Sequence, residues 1–148
     1  MTTIAAKVSK GLIEMASDSQ LTGSHIAQHT YRKVFECNGA LIGISGGAAA
    51  CADFVEWYSK GAKRKKFPES CQDEDSGCWA LVARKTGCAI YECSPVPVST
   101  GKIAATGSGG DFAIAAMLAG ADVSEAVKIA AKLDPFTGGR VTAKRLET

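Results

Sequence analysis

The chain has 148 residues, of which 22% are charged, and its formal net charge is +2. This balance is that of an ordinary globular protein and argues against nucleic acid as the main partner. No apolar stretch approaches the length that spans a bilayer, and the first residues lack the pattern of a secretory signal. We therefore expect a cytoplasmic protein with a single domain over residues 1–148, long enough to bury a real core.

The six cysteines predict reduced thiols that are mostly buried. A chain of this size and apolar content does not need disulfides for stability. It contains no C-x-x-C pair, and His25 and His29 lie far from the cysteines in sequence, which argues against a zinc site. The cysteines are Cys37, Cys51, Cys71, Cys78, Cys88 and Cys93.

The first half of the chain is predicted to contain two β-hairpins and one helix. The hairpins turn at Lys10-Gly11 and at Asn38-Gly39, and Asn-Gly is the strongest short-range signal for a hairpin turn. An Ala-rich segment with apolar residues at helical spacing follows Gly46-Gly47. The four strands and the helix are expected at residues 2–9, 12–19, 33–37, 40–45 and 48–62.

A charged surface loop and a third hairpin are predicted next. Residues 63–76 are polar and are broken by Pro68. Their run Lys63–Lys66 fits a solvated loop better than a site for an acidic partner. The strands of the third hairpin, and the prolines of the link that follows it, lie at residues 78–84, 88–93, Pro95 and Pro97.

The last third of the chain is predicted to form a strand, two helices and a strand. Gly120 is placed to end the first of these helices in the C-cap role, and Ser124 is predicted to N-cap the second. Hairpin-linked strands with helices grouped between them predict an α+β fold, in which helices cover antiparallel sheets. The four elements are expected at residues 102–106, 111–120, 124–133 and 140–147.

The first residues carry a candidate nucleophile. Threonine is small enough for methionine aminopeptidase to remove Met1, which would leave Thr2 with a free α-amine beside its hydroxyl. An α-amine has an ordinary pKa of roughly 7.7–8, so a useful fraction is neutral near pH 7 and can accept the hydroxyl proton. Many cytoplasmic proteins begin Met-Thr-Thr, so this pattern alone is a weak signal.

Several short motifs, in order from residue 2 to about residue 145, resemble the family of HslV and proteasome β-subunits. Together, at the family's spacing, they are far more specific than any one of them. The motifs are TTIAAKVSKGLIEMASDSQ from Thr2, Arg32-Lys33-Val34, the helix entrance IGISGGAAACADF, the strand-to-helix turn AATGSGGDFAIAAMLAG, and Asp134-Pro135-Phe136-Thr137-Gly138.

The resemblance implies a four-layer αββα sandwich of two antiparallel sheets, the N-terminal-nucleophile (Ntn) hydrolase fold, and a threonine-type endopeptidase. Thr2 would attack the peptide bond. Lys33 would lie beside Thr2, where its charge favours deprotonation of the hydroxyl and opposes protonation of the amine. Asp18 would pair with Lys33. Without the motifs, Asp18 and Lys33 would be interpreted as an ordinary surface pair.

The resemblance also implies supporting residues around the nucleophile. Ser108, Asp134 and Thr137 would form a hydrogen-bonded shell that orients the amine and a proton-shuttling water. Ser108 and Asp134 also fit ordinary capping positions beside helices. The backbone N–H of Gly46 would face the oxyanion of the tetrahedral intermediate, although tight turn geometry alone would also require glycine there.

Substrate recognition follows from the same resemblance. A peptide would bind as an extended strand between the segments around Thr22 and Gly46. Ile44 and Ala48 would line the pocket for the side chain before the cut, which predicts cleavage after hydrophobic residues, and ordinary core packing is the competing explanation for both.

Expected cofactors and partners are few. No cofactor is required, although relatives of the HslV type can hold a monovalent cation such as Na⁺, here through carbonyls of Ala131, Asp134 and Thr137. The expected partners are peptide or unfolded protein substrates, further copies of the chain in an oligomeric chamber and an ATPase unfoldase, with no nucleic acid or membrane. Family members usually have a second long helix beside the first, which residues 63–76 replace here.

Two other functions stay open from the sequence. The first is a catalytically silent scaffold or assembly protein, against which the retained Asp18 and Lys33 argue. The second is an Ntn amidase acting on a small molecule, which calls for a closed polar pocket where Ile44 and Ala48 suggest an apolar, peptide-lining cleft.

Overall fold

The computed structural model describes residues 2–22 and 30–148, together with the backbone of Ile26–Gln28. Met1, His25 and His29 lie outside the described residues. The strands are β1 (Ile4–Ser9), β2 (Leu12–Ser17), β3 (Leu21–Thr22), β4 (Ile26–Gln28), β5 (Val34–Cys37), β6 (Ala40–Gly46), β7 (Cys78–Arg84), β8 (Gly87–Glu92), β9 (Val98–Gly101), β10 (Ile103–Thr106) and β11 (Thr142–Glu147). The helices are α1 (Ala48–Ser59), α2 (Gly110–Leu118) and α3 (Val123–Leu133).

Two antiparallel sheets form the inner layers. The first has the strand order β10-β1-β2-β11 and the second the order β5-β6-β7-β8-β9, while β3 pairs with β4 separately. Alternate apolar side chains of the two sheets meet in the middle core, among them Ile4, Met15, Leu41 and Leu81, all fully buried. Because side chains alternate across a strand, the opposite faces of both sheets need a second covering.

Helices supply that covering on both outer faces. On the second sheet, α1 inserts the fully buried Phe54, whose ring meets those of Trp57, Tyr58, Phe67 and Tyr91. On the first sheet, α2 and α3 pack their small apolar faces over β1 and β2. The result is a four-layer αββα sandwich, which confirms the predicted α+β class.

The structure confirms the predicted turn at Asn38-Gly39 and the predicted end of α2 at Gly120. Asn38 and Gly39 both have positive φ, 50° and 72°, as a type I′ turn requires. Gly120, with φ of 113°, lies just past the C-cap Ala119 and ends α2 as predicted.

The N-cap predicted for α3 is wrong. Asp122, not Ser124, caps the helix: its carboxylate accepts the Glu125 N–H at 2.8 Å, and the Glu125 carboxylate accepts the Asp122 N–H at 3.1 Å. This reciprocal pair is a capping box, which needs an acidic residue three positions after the cap. Ser124 has Val127 at that spacing, so it lies inside the helix instead.

Residues 63–76 are more than the surface loop that was predicted. They contain two 3₁₀ turns, Arg64–Lys66 and Glu69–Cys71. Phe67 and Cys71 are buried against α1 and belong to the outer core. Charge and Pro68 hid this from the sequence, because single apolar residues in a polar stretch carry no periodicity.

Two short pieces of sheet were not predicted. The strand β9 lies in the segment interpreted as a proline-rich link, and it pairs with β8 at the edge of the second sheet. The pair β3–β4 is only two and three residues long, too short for an alternating pattern.

The six cysteines are free, and four of them are buried, as expected for core thiols. Cys37 and Cys93 are half-buried. Among the residues described, no helix combines the length and the hydrophobicity that crossing a bilayer requires.

Replacing Phe54 by Ala should lower the free energy of unfolding by about 3–5 kcal/mol, because it removes the central ring of the outer core and leaves a cavity. Urea denaturation at fixed protein concentration measures the loss. Phe112→Ala is the matched control, since Phe112 is 40% exposed, and it should cost much less. Equal losses for the two variants would contradict the assignment of Phe54 as the centre of this layer.

Candidate active site

Three polar side chains meet where the two sheets open at one end. Thr2 lies just before β1 and Asp18 just after β2, and the pairing of Ile4 with Ser17 brings them side by side. Lys33 lies just before β5, and its carbonyl accepts the Ile44 N–H at 2.9 Å, which fixes it against β6. Hairpin register therefore places Thr2 beside Asp18, and the packing of the two sheets brings Lys33 to them.

The three groups are joined by direct hydrogen bonds. The Thr2 hydroxyl donates to Asp18 Oδ1 at 2.6 Å, and Lys33 Nζ lies 2.9 Å from the same carboxylate oxygen. Lys33 Nζ also donates to Thr2 Oγ1. The threonine oxygen is therefore held between a carboxylate and an ammonium group.

These three residues are buried, so the charges of Asp18 and Lys33 interact strongly with each other and with the Thr2 hydroxyl. Asp18 is fully buried, Thr2 is 1% exposed and Lys33 is 3% exposed. Desolvation lowers the pKa of Lys33 below its ordinary value, and the charge and hydrogen bond of Asp18 oppose that shift. The Asp18 carboxylate also accepts backbone N–H groups from Thr3 and Gly138, both at 3.1 Å, so this buried anion is well satisfied.

A second cluster lies on the main-chain side of Thr2. Asp134 Oδ2 accepts hydrogen bonds from Ser108 at 2.6 Å and from Thr137 at 2.5 Å, and Phe136 N–H reaches the other carboxylate oxygen at 3.1 Å. Desolvation would raise the pKa of Asp134, but these hydrogen bonds outweigh it and lower that pKa. Ser108 Oγ also lies 3.3 Å from the Thr2 carbonyl oxygen, which is the alternative acceptor for its single hydroxyl hydrogen.

Thr3 joins the two clusters and was missed by the sequence analysis. Its hydroxyl lies 2.7 Å from that of Thr137, while its N–H binds Asp18. The sequence shows two adjacent threonines, but it does not show the role of the second. Successive side chains of an extended chain face opposite sides, so Thr2 and Thr3 each meet a different polar cluster.

The glycine-rich turn after β10 permits this close approach. Gly107 has φ of 93°, and a Cβ there would collide with the Thr2 carbonyl. A Cβ on Gly109 would collide with the Thr3 hydroxyl. The Gly-Ser-Gly-Gly motif is therefore needed to bring Ser108 against the start of the chain.

A cleft of about 390 Å³ opens beside Thr2. Gly46, the predicted oxyanion donor, lies on its wall with φ of 113°, a backbone conformation that glycine adopts without strain. The other lining residues are Ser45, Trp79, Thr106, Gly107 and Ser108. Of these, Ser45, Trp79, Thr106 and Gly107 were not among the predicted site residues.

Two predicted substrate-binding residues do not line this cleft. Ile44 is 3% exposed and packs in the outer core beneath α1, and Ala48 is exposed at the first position of α1. On a strand, a shift of one residue moves a side chain to the other face. Leu41 faces the middle core while Ile42 and Ile44 face α1, so Ser45 is the residue of β6 that faces the site.

The remaining predicted residues are peripheral. Thr22, in β3, is half-buried and accepts a hydrogen bond from Gln20 Nε2 at 2.9 Å. Ala131 lies in the last turn of α3, and Pro135, four residues later, has no N–H for its carbonyl. The Asp134 carbonyl accepts the Thr137 N–H at 3.1 Å. The Ala131 carbonyl therefore lacks its usual helical donor, and the Na⁺ site stays a prediction.

Comparisons with known proteins define the class of fold. No family model and no curated protein matches the chain. Among solved structures, it is similar along 99% of its length to a eukaryotic HslV from Trypanosoma brucei, with a TM-score of 0.77, 22% identity and 100% of that chain covered. It is also similar to two structures of Thiobacillus denitrificans BPH, over 99% of its own length and 98% of theirs. One is a complex with epoxomicin (TM-score 0.71, 19% identity) and the other is a structure of BPH (TM-score 0.70, 20% identity).

The chain therefore has a four-layer αββα sandwich, and this is the fold that it shares with HslV and BPH. This confirms the resemblance drawn from the sequence motifs at the level of the fold. At about one-fifth identity, the comparisons show the fold alone.

Replacing Asp18 by Asn should destabilise the protein by about 3–5 kcal/mol, because removing one partner of a buried ion pair leaves the other charge uncompensated. Urea denaturation near pH 7 measures this. The control is Glu56→Gln in the exposed pair with Lys60, whose side chains are 62% and 71% exposed, and it should change stability by less than about 1 kcal/mol. A small effect at Asp18 would mean that the pair is solvated.

Proposed function

We propose that the chain is a threonine-type endopeptidase in which Thr2, freed by removal of Met1, is the nucleophile. The observation that carries the proposal is the Thr2 hydroxyl hydrogen-bonded to both Lys33 and Asp18 in a buried site beside an open cleft. A scaffold has no physical need for a buried ammonium aimed at a hydroxyl oxygen, because such a pair is a weak source of stability.

The first half-reaction forms an ester. The Thr2 hydroxyl first rotates, so that it donates its hydrogen bond to the neutral α-amine of Thr2 and no longer to Asp18. Oγ1 stays in contact with Lys33 during this rotation. Oγ1 attacks the carbonyl carbon of the peptide bond while its proton passes to the α-amine, which becomes an ammonium. Negative charge moves to the carbonyl oxygen, which faces the Gly46 N–H. The C–N bond then breaks as the α-ammonium returns its proton to the leaving amine, which gives an acyl-enzyme and a free amine.

The second half-reaction uses water in place of the leaving amine. The α-amine takes a proton from water, the hydroxide attacks the ester carbonyl, and Oγ1 leaves with the proton that the ammonium returns. The carboxylic acid product departs and the free Thr2 is regenerated.

The surrounding charges support each step. The Lys33 ammonium stabilises negative charge on Oγ1 and disfavours a second positive charge on the amine. Asp18 opposes the desolvation that lowers the Lys33 pKa, and its negative charge therefore favours the ammonium form. Ser108 contacts the Thr2 carbonyl and is hydrogen-bonded to Asp134, and together the two residues would hold the amine and a proton-carrying water.

The finer assignments belong to the same proposal. Substrates would be peptides or unfolded proteins bound as extended strands past Thr22 and Gly46, inside a chamber of several copies of the chain. An ATPase unfoldase would supply folded substrates, and the cytoplasm is the proposed compartment. A monovalent cation at the end of α3 would brace the loop that carries Asp134.

An amidase acting on a small molecule is the second candidate. The argument against it rested on Ile44 and Ala48, which do not line the cleft. Ser45, Thr106 and Ser108 are among the residues that line it instead, and their hydroxyl groups could bind a polar ligand. Both candidates use the same nucleophile, so a fluorogenic peptide compared with small amides separates them.

Incubation with epoxomicin, the compound present in one BPH structure, should add one inhibitor mass to the protein at Thr2. Intact mass spectrometry after expression without added tags should show loss of Met1, and peptide mapping should place the adduct. Thr2→Ala should abolish the adduct while the fold persists, because only the nucleophile is removed. Thr86→Ala, at an exposed hairpin turn, is the matched control and should react like the parent chain.

Retention of Met1 on protein made in its natural host would end both enzymatic proposals, because the amine would be blocked. An adduct that survives Thr2→Ala would place the nucleophile elsewhere.

A further inference from the structure

The cleft beside Thr2 lies on one defined flank of the nucleophile. In the second sheet β6 lies between β5 and β7. Lys33 stands at the head of β5, whereas Trp79 lies near the start of β7, across from Ser45 in the strand register. The cleft is therefore on the flank of Thr2 away from Lys33, between the end of β6 and the turn at Gly107 and Ser108.

Trp79 forms the aromatic wall of this cleft. It is half-buried, and its antiparallel partner Ser45 presents a small side chain on the same face. The other tryptophan, Trp57, is locked into the outer core by ring contacts and by an indole N–H bond to the Lys63 carbonyl at 3.0 Å. Among the described residues, Trp79 has no such ring or indole contact, so a half-exposed aromatic face is left for a ligand.

The position of the proton groups shows which part of a peptide this cleft would receive. Lys33 and Asp18 lie on the other flank, and both are buried. The leaving amine must receive its proton from the Thr2 amine, which in the proposed mechanism is held by Ser108 and Asp134. Ser108 Oγ lies 3.3 Å from the Thr2 carbonyl oxygen and is hydrogen-bonded to Asp134, so both residues lie on the side of Thr2 where the cleft opens. The departing half of the substrate therefore exits along the Ser108 side, over the cleft.

We infer that Trp79 forms the wall of a pocket for the side chain immediately after the scissile bond, and that this pocket favours aromatic and large aliphatic residues. The inference rests on the proposed peptidase function and names the substrate preference of that site. A cleft of about 390 Å³ is within the size range of small-ligand pockets and accommodates one large side chain. A tryptophan face also offers apolar area with little loss of conformational freedom.

Quenched fluorescent peptides that differ only in the residue after the cut, Phe or Gly, test the preference. In the parent chain the Phe peptide should have a kcat/KM at least about tenfold higher, the usual range for burying a large apolar side chain. In Trp79→Ala the kcat/KM values for the Phe and Gly peptides should differ by less than about threefold, while Trp79→Phe should retain most of the parent's difference. Product masses fix the cleavage position. An unchanged ratio in Trp79→Ala, or a changed preference for the residue before the cut, would overturn the inference.

A binding measurement separates this inference from the proposed chemistry. The chain has two tryptophans, so a Thr2→Ala, Trp57→Phe double variant reports Trp79 fluorescence alone without turnover. The Phe peptide should shift the Trp79 emission and bind about tenfold more tightly than the Gly peptide. Equal affinity with unchanged emission would reject the pocket even if the enzyme cleaves peptides. Absence of any epoxomicin adduct together with a normal Trp79 response would instead reject the peptidase and leave an aromatic-binding pocket.

Discussion

A lysine ammonium and an aspartate carboxylate are buried together against the hydroxyl of Thr2, and most of the surrounding structure serves to hold them there. Taking both charges out of water costs several kcal/mol for each ion. The loss is offset only because the pair is close and because Asp18 also accepts N–H bonds from Thr3 and Gly138. A buried ion pair therefore contributes little net free energy to folding. Its charges nevertheless act strongly on a nearby oxygen, because the site contains little water.

The fold meets this requirement by bringing three strand ends to one point. Hairpin register places Thr2 beside Asp18, and the entry to β5 brings Lys33 across from the other sheet. The last loop and the glycine-rich turn close the remaining side through Asp134, Thr137 and Ser108. Since these residues come from several elements of both sheets and the loops between them, a change in the packing of either sheet would move the site apart.

Much of the architecture was accessible from the sequence because hairpin turns and Ala-rich helices leave local signals. Asn38-Gly39 and Gly120 were placed correctly by their need for positive φ. The site residues Asp18, Lys33, Ser108, Asp134 and Thr137 were identified by resemblance in several motifs at once, and the structure brings them around Thr2. No single one of them could have been distinguished from an ordinary capping or surface residue.

What the sequence missed depends on which face a side chain takes and on tertiary contacts. Ile44 and Ser45 are neighbours, and only the register against β7 decides that Ser45 faces the cleft. Trp79 carries no local sign of a ligand role, because a tryptophan at a strand start is usually core. Asp122 and Ser124 are both good N-caps, and the glutamate three residues after Asp122 decided between them. Phe67 and Cys71 lie in a charged segment whose burial depends on α1.

The most direct test of the central claim is a titration of Lys33 itself by NMR, with lysines labelled at Cε and the Lys33 signal assigned through Lys33→Arg. Lys33 should lose its proton at a lower pH than the exposed lysines, because burial lowers its pKa. Asp18→Asn should lower that pKa further, since the opposing carboxylate charge is removed. A Lys33 signal that titrates together with the surface lysines, and does not respond to Asp18→Asn, would contradict a buried ammonium at the nucleophile.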